Sequence, residues 1–150
     1  MKILLATDGS SCSDAAVNEV ASRAWPVGSE VKIVSAVEPP AVTATEPWSI
    51  PAEYYAEMEK ATHDHAHAAV ESAISKLRAG ADKSLKITSA RPTGSPQQVI
   101  LEEAERWGAD LIVVGSHGYG TWDRFLLGSV SQSVALHAKC SVEIVRENKV

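Results

Sequence analysis

The sequence predicts an α/β fold, a parallel sheet of five strands with helices on both faces, and three observations predict it. Short apolar runs alternate with amphipathic stretches from one end of the chain to the other. The runs are continuously apolar rather than alternating, the pattern of strands buried on both faces. Glycine, proline and serine cluster between them, where strand must give way to helix.

The elements follow in order. Residues 3–6 form an apolar first strand that ends in the polar turn Thr7-Asp8-Gly9-Ser10. A helix follows, capped by Ser11 or Ser13, with Ala16, Val17, Val20, Ala21 and Ala24 at helical spacing; Pro26 and Gly28 end it. Residues 31–37 are the second strand. Residues 38–51 carry four prolines and no period, and read as a loop. A long helix is predicted over 51–77, with Pro51 in its first turn, one face carrying Met58, Ala61, His65, Ala69, Ala73 and Leu77, and Gly80 as its terminator. Residues 85–90 are the third strand. Gly94-Ser95-Pro96 opens a helix with Val99, Ile100 and Ala104 inward. Residues 111–114 are the fourth strand, 129–138 a helix with Val130, Val134 and Leu136 inward, and 142–145 the fifth strand.

Composition narrows the function. The 150 residues suit one domain spanning 1–150, and 45% apolar with 22% charged residues is ordinary for a globular protein with a core. A net charge of -5 without a Lys/Arg cluster argues against nucleic acid as a partner. Cys12 and Cys140 lack a pairing or metal-ligand pattern and read as free thiols in a reducing compartment. No apolar run approaches the roughly 18 residues of a membrane span, and the opening apolar run, interrupted by Asp8, is too short for a signal peptide. The expectation is a cytoplasmic protein with no membrane partner.

Chemistry is expected beyond the carboxyl ends of the strands, where open parallel sheets bind ligands. Three segments lie there: the first turn with Asp8, the segment around Ala36, and the glycine-rich loop that leaves the fourth strand at Gly115-Ser116-His117-Gly118 and enters the next helix at Gly128-Ser129. Glycine lets a backbone approach an anion closely, and a helix start supplies free N–H groups. The N–H groups of Gly128, Ser129 and Val130, with the Ser129 hydroxyl, suit phosphates. The Asp8 carboxylate suits a ribose hydroxyl or a purine amine, and the backbone at Ala36 suits an adenine edge. The two commonest phosphate loops do not fit: the chain has no Gly-Lys pair for a Walker loop, and its first turn lacks G-x-G-x-x-G.

The chain resembles the universal stress proteins over nearly its whole length. The family pattern G-x2-G-x9-G-S/T falls on Gly115, Gly118, Gly128 and Ser129, its first-strand aspartate on Asp8, and its Gly-x-Pro on Gly94-Ser95-Pro96. The resemblance implies a Rossmann-like three-layer sandwich with strand order 3-2-1-4-5 and four helices. It implies ATP, or AMP or ADP, held by Ala6, Thr7, Asp8, Ala36, Gly115, Ser116, His117, Gly118, Arg124, Gly128, Ser129, Val130 and Ser131, with Mg or Mn carried on the phosphates. It implies a stress-resistance role, a homodimer through the fifth strand, and at most slow ATP hydrolysis. A slow ATPase and a protein-interaction module are the alternatives.

Several residues have a plainer reading beside the functional one. His117 reads as a loop residue that touches phosphate or ribose rather than as a general base. His63 and His67 have the i, i+4 spacing of metal ligands, but a partly solvated helix face accounts for His63, His65 and His67. Trp122 and Phe125 either cover a nucleotide or anchor the loop; Arg124 reaches a phosphate or is solvated. Trp48, Tyr54 and Tyr55 form a partner surface or pack on the long helix. Glu143 stands where the family has an apolar residue in its fifth strand, which weakens the expected dimer, since two copies facing each other would repel.

Overall fold

Five strands and four helices alternate along the chain in the computed structural model, which describes residues 1–41, 50–80, 83–117 and 127–147. They are β1 (Lys2–Ala6), α1 (Ser11–Ser22), β2 (Glu30–Val34), α2 (Ala52–Ala79), β3 (Lys86–Ala90), α3 (Pro96–Trp107), β4 (Leu111–Gly115), α4 (Ser129–His137) and β5 (Ser141–Val145). The sheet is parallel throughout, in the order β3-β2-β1-β4-β5. Ile3 is in register with Val31 on one side and Leu111 on the other.

Successive side chains of a strand point to opposite faces, and this divides the core in two. Ile3 and Leu5 join Val17, Val20, Val31, Ile33, Val70 and Leu77 on the face covered by α1 and α2. Leu4 and Ala6 join Val34, Val99, Ile100, Ile112 and Val134 on the face covered by α3 and α4. The sequence of crossovers therefore changes face between β1 and β4, which are neighbours at the centre of the sheet.

Local chemistry sets the element ends, in places differently from the sequence reading. Of the serines available as caps, Ser10 takes the role for α1, its hydroxyl accepting from the Ser13 N–H. α1 ends at Ser22, so Ala24 falls outside it. β2 stops at Val34, three residues short of the expected end, and only a single bridge, Val37 to Thr93, continues the pairing. Pro51 is the residue before α2, not part of its first turn. The inward face of α2 begins at Ala66, not Met58: Ala66, Ala69, Val70, Ala73 and Leu77 are buried, while Ala61 and His65 are exposed, because the first half of the helix reaches beyond the core. Gly80 follows α2 as expected, but with φ -70 it needs no left-handed conformation. It is glycine because a Cβ there would run into the Ala21 carbonyl of α1. Gly108 does close α3 in the left-handed conformation, at φ 69, with the Ala109 N–H returning to the Ala104 carbonyl. Leu136, expected inward, is 72% exposed. Cys12 and Cys140 are free thiols. Among the described residues, no helix is long and apolar enough to cross a membrane.

Glu143 is accounted for by a distant partner. Val142 and Ile144 face the α3–α4 core, so Glu143 faces α1. There both its oxygens accept from Arg23, at 2.7 and 2.8 Å, and Arg23 also binds Glu19 at 2.6 Å. These hydrogen bonds, Glu143 first and then Glu19, raise the Arg23 pKa above its ordinary value. The edge strand therefore carries a neutralised charge rather than a bare one.

Candidate functional site

The change of face between β1 and β4 marks the place where open parallel sheets form a ligand crevice, beyond the carboxyl ends of the strands. Three segments border it: the turn after β1, the chain after β2, and the two ends of the loop between β4 and α4. Gly118 and Arg124, with Trp122, Phe125 and Trp48, lie outside the described residues.

The turn after β1 is held from within. The Thr7 N–H donates to the Val34 carbonyl at 3.0 Å. The Thr7 hydroxyl accepts from the Gly9 N–H and pairs with the buried Ser13 hydroxyl, both at 3.2 Å. Ala6 packs in the α3–α4 core. Thr7 and Ala6 thus shape the turn with side chains already committed. Asp8 is partly committed too: its Oδ1 accepts from the Ser10 N–H at 2.9 Å, an Asx turn. The sequence reading assigns the carboxylate to a ligand; in the fold, Ser10 caps α1 and Asp8 also fixes the turn. Its Oδ2 has no partner in this turn. Across the crevice, β2 has parted from β1. The Ser35 and Val37 N–H groups turn to Ala90 and Pro92, on the β3 side, while the Ala36 N–H and C=O take no backbone partner among the described residues.

The β4–α4 loop is tied at its base. The Ser116 N–H reaches the Val145 carbonyl of β5 at 2.8 Å. The Ser116 carbonyl accepts from the Gly128 N–H at 2.8 Å and from the Ser131 hydroxyl at 2.9 Å. The buried Ser131 hydroxyl also reaches the Gly128 carbonyl at 2.9 Å. Two glycines make this closure possible, for different reasons. A Cβ on Gly115 would stand 2.5 Å from the Cys12 carbonyl oxygen, so the end of β4 is in direct contact with the first turn of α1. A Cβ on Gly128 would lie 3.2 Å from both the His117 Cα and the Ser116 oxygen, tight enough to push the two ends of the loop apart.

What results is a group of polar atoms without partners among the described residues. Gly128 precedes α4 and has no side chain with which to cap it. The first intrahelical bond belongs to the Gln132 N–H, so the N–H groups of Ser129, Val130 and Ser131 are left over, as at any helix start. Beside them the His117 Nδ1 is 3.1 Å from the Ser116 hydroxyl, while its Nε2 is enclosed without a hydrogen-bond partner. Buried polar atoms are rarely left so. Free N–H groups at the positive end of a helix, next to an enclosed ring nitrogen, can take an anion.

The histidines of α2 behave differently from one another. His63 is exposed. The His67 Nδ1 accepts from Arg91, at 2.5 Å. The His65 Nε2 lies 2.7 Å from the Asp8 carbonyl oxygen. Sequence reasoning left His65 to a solvated face and missed this contact; the available signal was its place in the stripe that continues to Ala69, Ala73 and Leu77. Among the described residues no group of three or more His, Cys, Asp or Glu is disposed to hold a metal ion.

Comparison with known proteins agrees with this architecture. The model of the Universal stress protein family matches residues 1–146. "Universal stress protein A homolog 2" of Coxiella burnetii is 52% identical over 54 residues, a stretch covering 35% of this chain and 36% of that protein. The chain therefore matches such curated relatives over about a third of their length. Among solved structures, that of a hypothetical protein taken as a test case of structural genomics is similar with a TM-score of 0.81 at 26% identity, covering 99% of this chain and 97% of that one. A universal stress protein in complex with cAMP is similar with a TM-score of 0.69 at 29% identity, covering 97% and 96%. A family member from Arabidopsis thaliana with AMP bound, at 19% identity and a TM-score of 0.67 over 99% and 92%, bears on the fold alone.

Proposed function

Since the chain belongs to the universal stress protein family, we propose that it binds an adenine nucleotide, ATP in the first place and AMP or ADP as shorter alternatives, in the crevice between β1 and β4. The observation that carries the reading is the uncapped start of α4 beside the enclosed, unpartnered His117 Nε2. A phosphate chain satisfies both at once. In this reading the N–H groups of Ser129, Val130 and Ser131 and the Ser129 hydroxyl hold phosphate, and Gly128 keeps the loop closed enough to aim them. Gly118 and Arg124 belong to the same phosphate side. The Asp8 carboxylate takes a ribose hydroxyl or the purine amine, and the Ala36 backbone, left open where β2 parts from β1, takes the adenine edge. Ala6, Thr7, Gly115 and Ser116 form the floor. A divalent cation such as Mg or Mn enters with the phosphates. Support comes also from the cAMP complex of a structural neighbour at 29% identity.

The protein so described is a cytoplasmic stress-resistance factor that responds to nucleotide. Titration calorimetry with ATP tests it. Saturable heat with the native chain and at least a hundredfold weaker binding for Gly128→Val are expected, since the added side chain forces apart the backbone on which the N–H groups are mounted. No heat and no thermal shift at millimolar ATP would contradict the reading.

The chain is further proposed to pair with a second copy along β5. That strand is one of the two edges of the sheet, and Glu143 is paired with Arg23, so two copies need not place bare carboxylates against each other. Sedimentation over a concentration series is the measurement; a monomer at high micromolar concentration would refute the dimer.

A further inference from the structure

The geometry points to a role for α2 in the candidate site: His65 is a positioning residue for Asp8. This rests on the nucleotide reading above and adds a residue to it.

The Asp8 carbonyl stands where the sheet can no longer supply a donor. The pairing of β1 with β4 ends at Leu5 and Val113, and the last contact of this strand end with β2 is the Thr7 N–H. The donor comes instead from fifty-seven residues away in sequence, at 2.7 Å from the His65 Nε2. A carbonyl oxygen only accepts, so Nε2 carries the proton. Asp8 is thereby held at two points: the His65 ring fixes its peptide plane, and the Ser10 N–H fixes its Oδ1. With both set, the direction of Oδ2 is set as well, and Oδ2 is the atom left to a ribose hydroxyl or a purine amine.

The platform is suited to such a task. His65 immediately precedes Ala66, the first buried residue of α2. From there the helix is fastened to the core beside α1 by Val70, Ala73 and Leu77, by the ion pair of Lys76 with Asp14 at 2.8 Å, and by the close approach of Gly80 to Ala21. Before His65 the helix is mostly exposed. The ring thus projects from the last firmly packed turn, whose position is defined by the core. Pre-orienting a ligand group in this way removes an ordering cost from binding.

The test separates the two ends of the ligand. ATP and tripolyphosphate are titrated into the native chain, His65→Leu and His65→Gln. Leucine removes the donor, and glutamine keeps an N–H of comparable reach. His65→Leu is expected to bind ATP about five- to tenfold more weakly, the worth of one oriented hydrogen bond. It should bind tripolyphosphate as the native chain does, and His65→Gln should recover most of the ATP affinity. Native protein that binds ATP alongside a His65→Leu variant of equal affinity overturns the role of His65 alone. A variant that loses ATP and tripolyphosphate equally overturns it too, since the effect is then a general loosening. Native protein that takes up no ATP overturns the nucleotide reading and this role with it.

Discussion

The two ends of the sheet treat their polar groups in opposite ways. At the amino ends of the strands, under α3, the groups are paired. The Lys2 N–H donates to Asp110 at 2.7 Å and its Nζ to the Trp107 carbonyl at 3.0 Å. Lys2 and Lys32 flank the Trp107 ring, 5.4 and 5.2 Å from its centre. Glu103, only 2% exposed, is paired with Lys32 at 2.7 Å and with Arg106. At the carboxyl ends, the α4 N–H groups, the His117 Nε2 and the Ala36 backbone have no partner among the described residues. Folding alone favours the first arrangement, because an unsatisfied buried group costs about 1–3 kcal/mol. The second is what a binding site looks like before its ligand arrives. The contrast separates an end of the sheet rich in ionic contacts, which holds the fold together, from an end whose open groups are the proposed binding site.

Substitutions at the two ends should break different properties. The largest loss of stability is expected from Gly115→Ala. Its methyl would fall 2.5 Å from the Cys12 carbonyl oxygen, backbone against backbone, with no flexible side chain to give way. A loss of about 3 kcal/mol or more in urea unfolding is expected, and an ordinary loss below about 0.5 kcal/mol would mean that β4 and α1 are not so closely joined. Lys32→Met should cost about 2 kcal/mol, less than for a fully orphaned buried charge because Arg106 stays.

The Lys32 loss should depend on pH. Burial would raise the Glu103 pKa, but the hydrogen bonds from Lys32 and Arg106 outweigh it and hold the carboxyl below its ordinary value of 4.5. A carboxylate with a depressed pKa contributes stability that is fully present above the unfolded pKa and fades as pH falls through the folded one. The difference between native chain and Lys32→Met should therefore be greatest near neutrality and shrink below about pH 4.5. A difference independent of pH would mean that the lysine acts by packing on Trp107 and not by charge. Lys32→Met should not alter nucleotide affinity at neutral pH beyond the loss of folded protein.

Much of this was legible in the sequence, and what was not has a common cause. All nine elements and their parallel arrangement follow from apolar runs and helical spacing, because burial on two faces leaves a direct imprint on composition. The places of Asp8, Gly128 and Ser129 at a strand end and a helix start are legible, since both are visible as changes of pattern. The reasons behind Gly80 and Gly115 were not visible: each yields to a backbone on α1, Ala21 and Cys12, that is remote in sequence. The same holds for Glu143, whose partner Arg23 is 120 residues away, and for His65, whose contact with Asp8 depends on how far α2 runs past the sheet. The outward Leu136 and the short β2 were misread because periodicity gives which face is apolar, not where an element stops being covered.

The groups without partners at the carboxyl ends of the strands are proposed to belong to a nucleotide. Amide chemical shifts recorded while ATP is added test that assignment residue by residue. The account predicts that Ser129, Val130, Ser131 and Ala36 shift together with one saturating affinity, while Glu103, Trp107 and Asp110 stay where they are. Shifts confined to the α3 end, or none at either end, would contradict it.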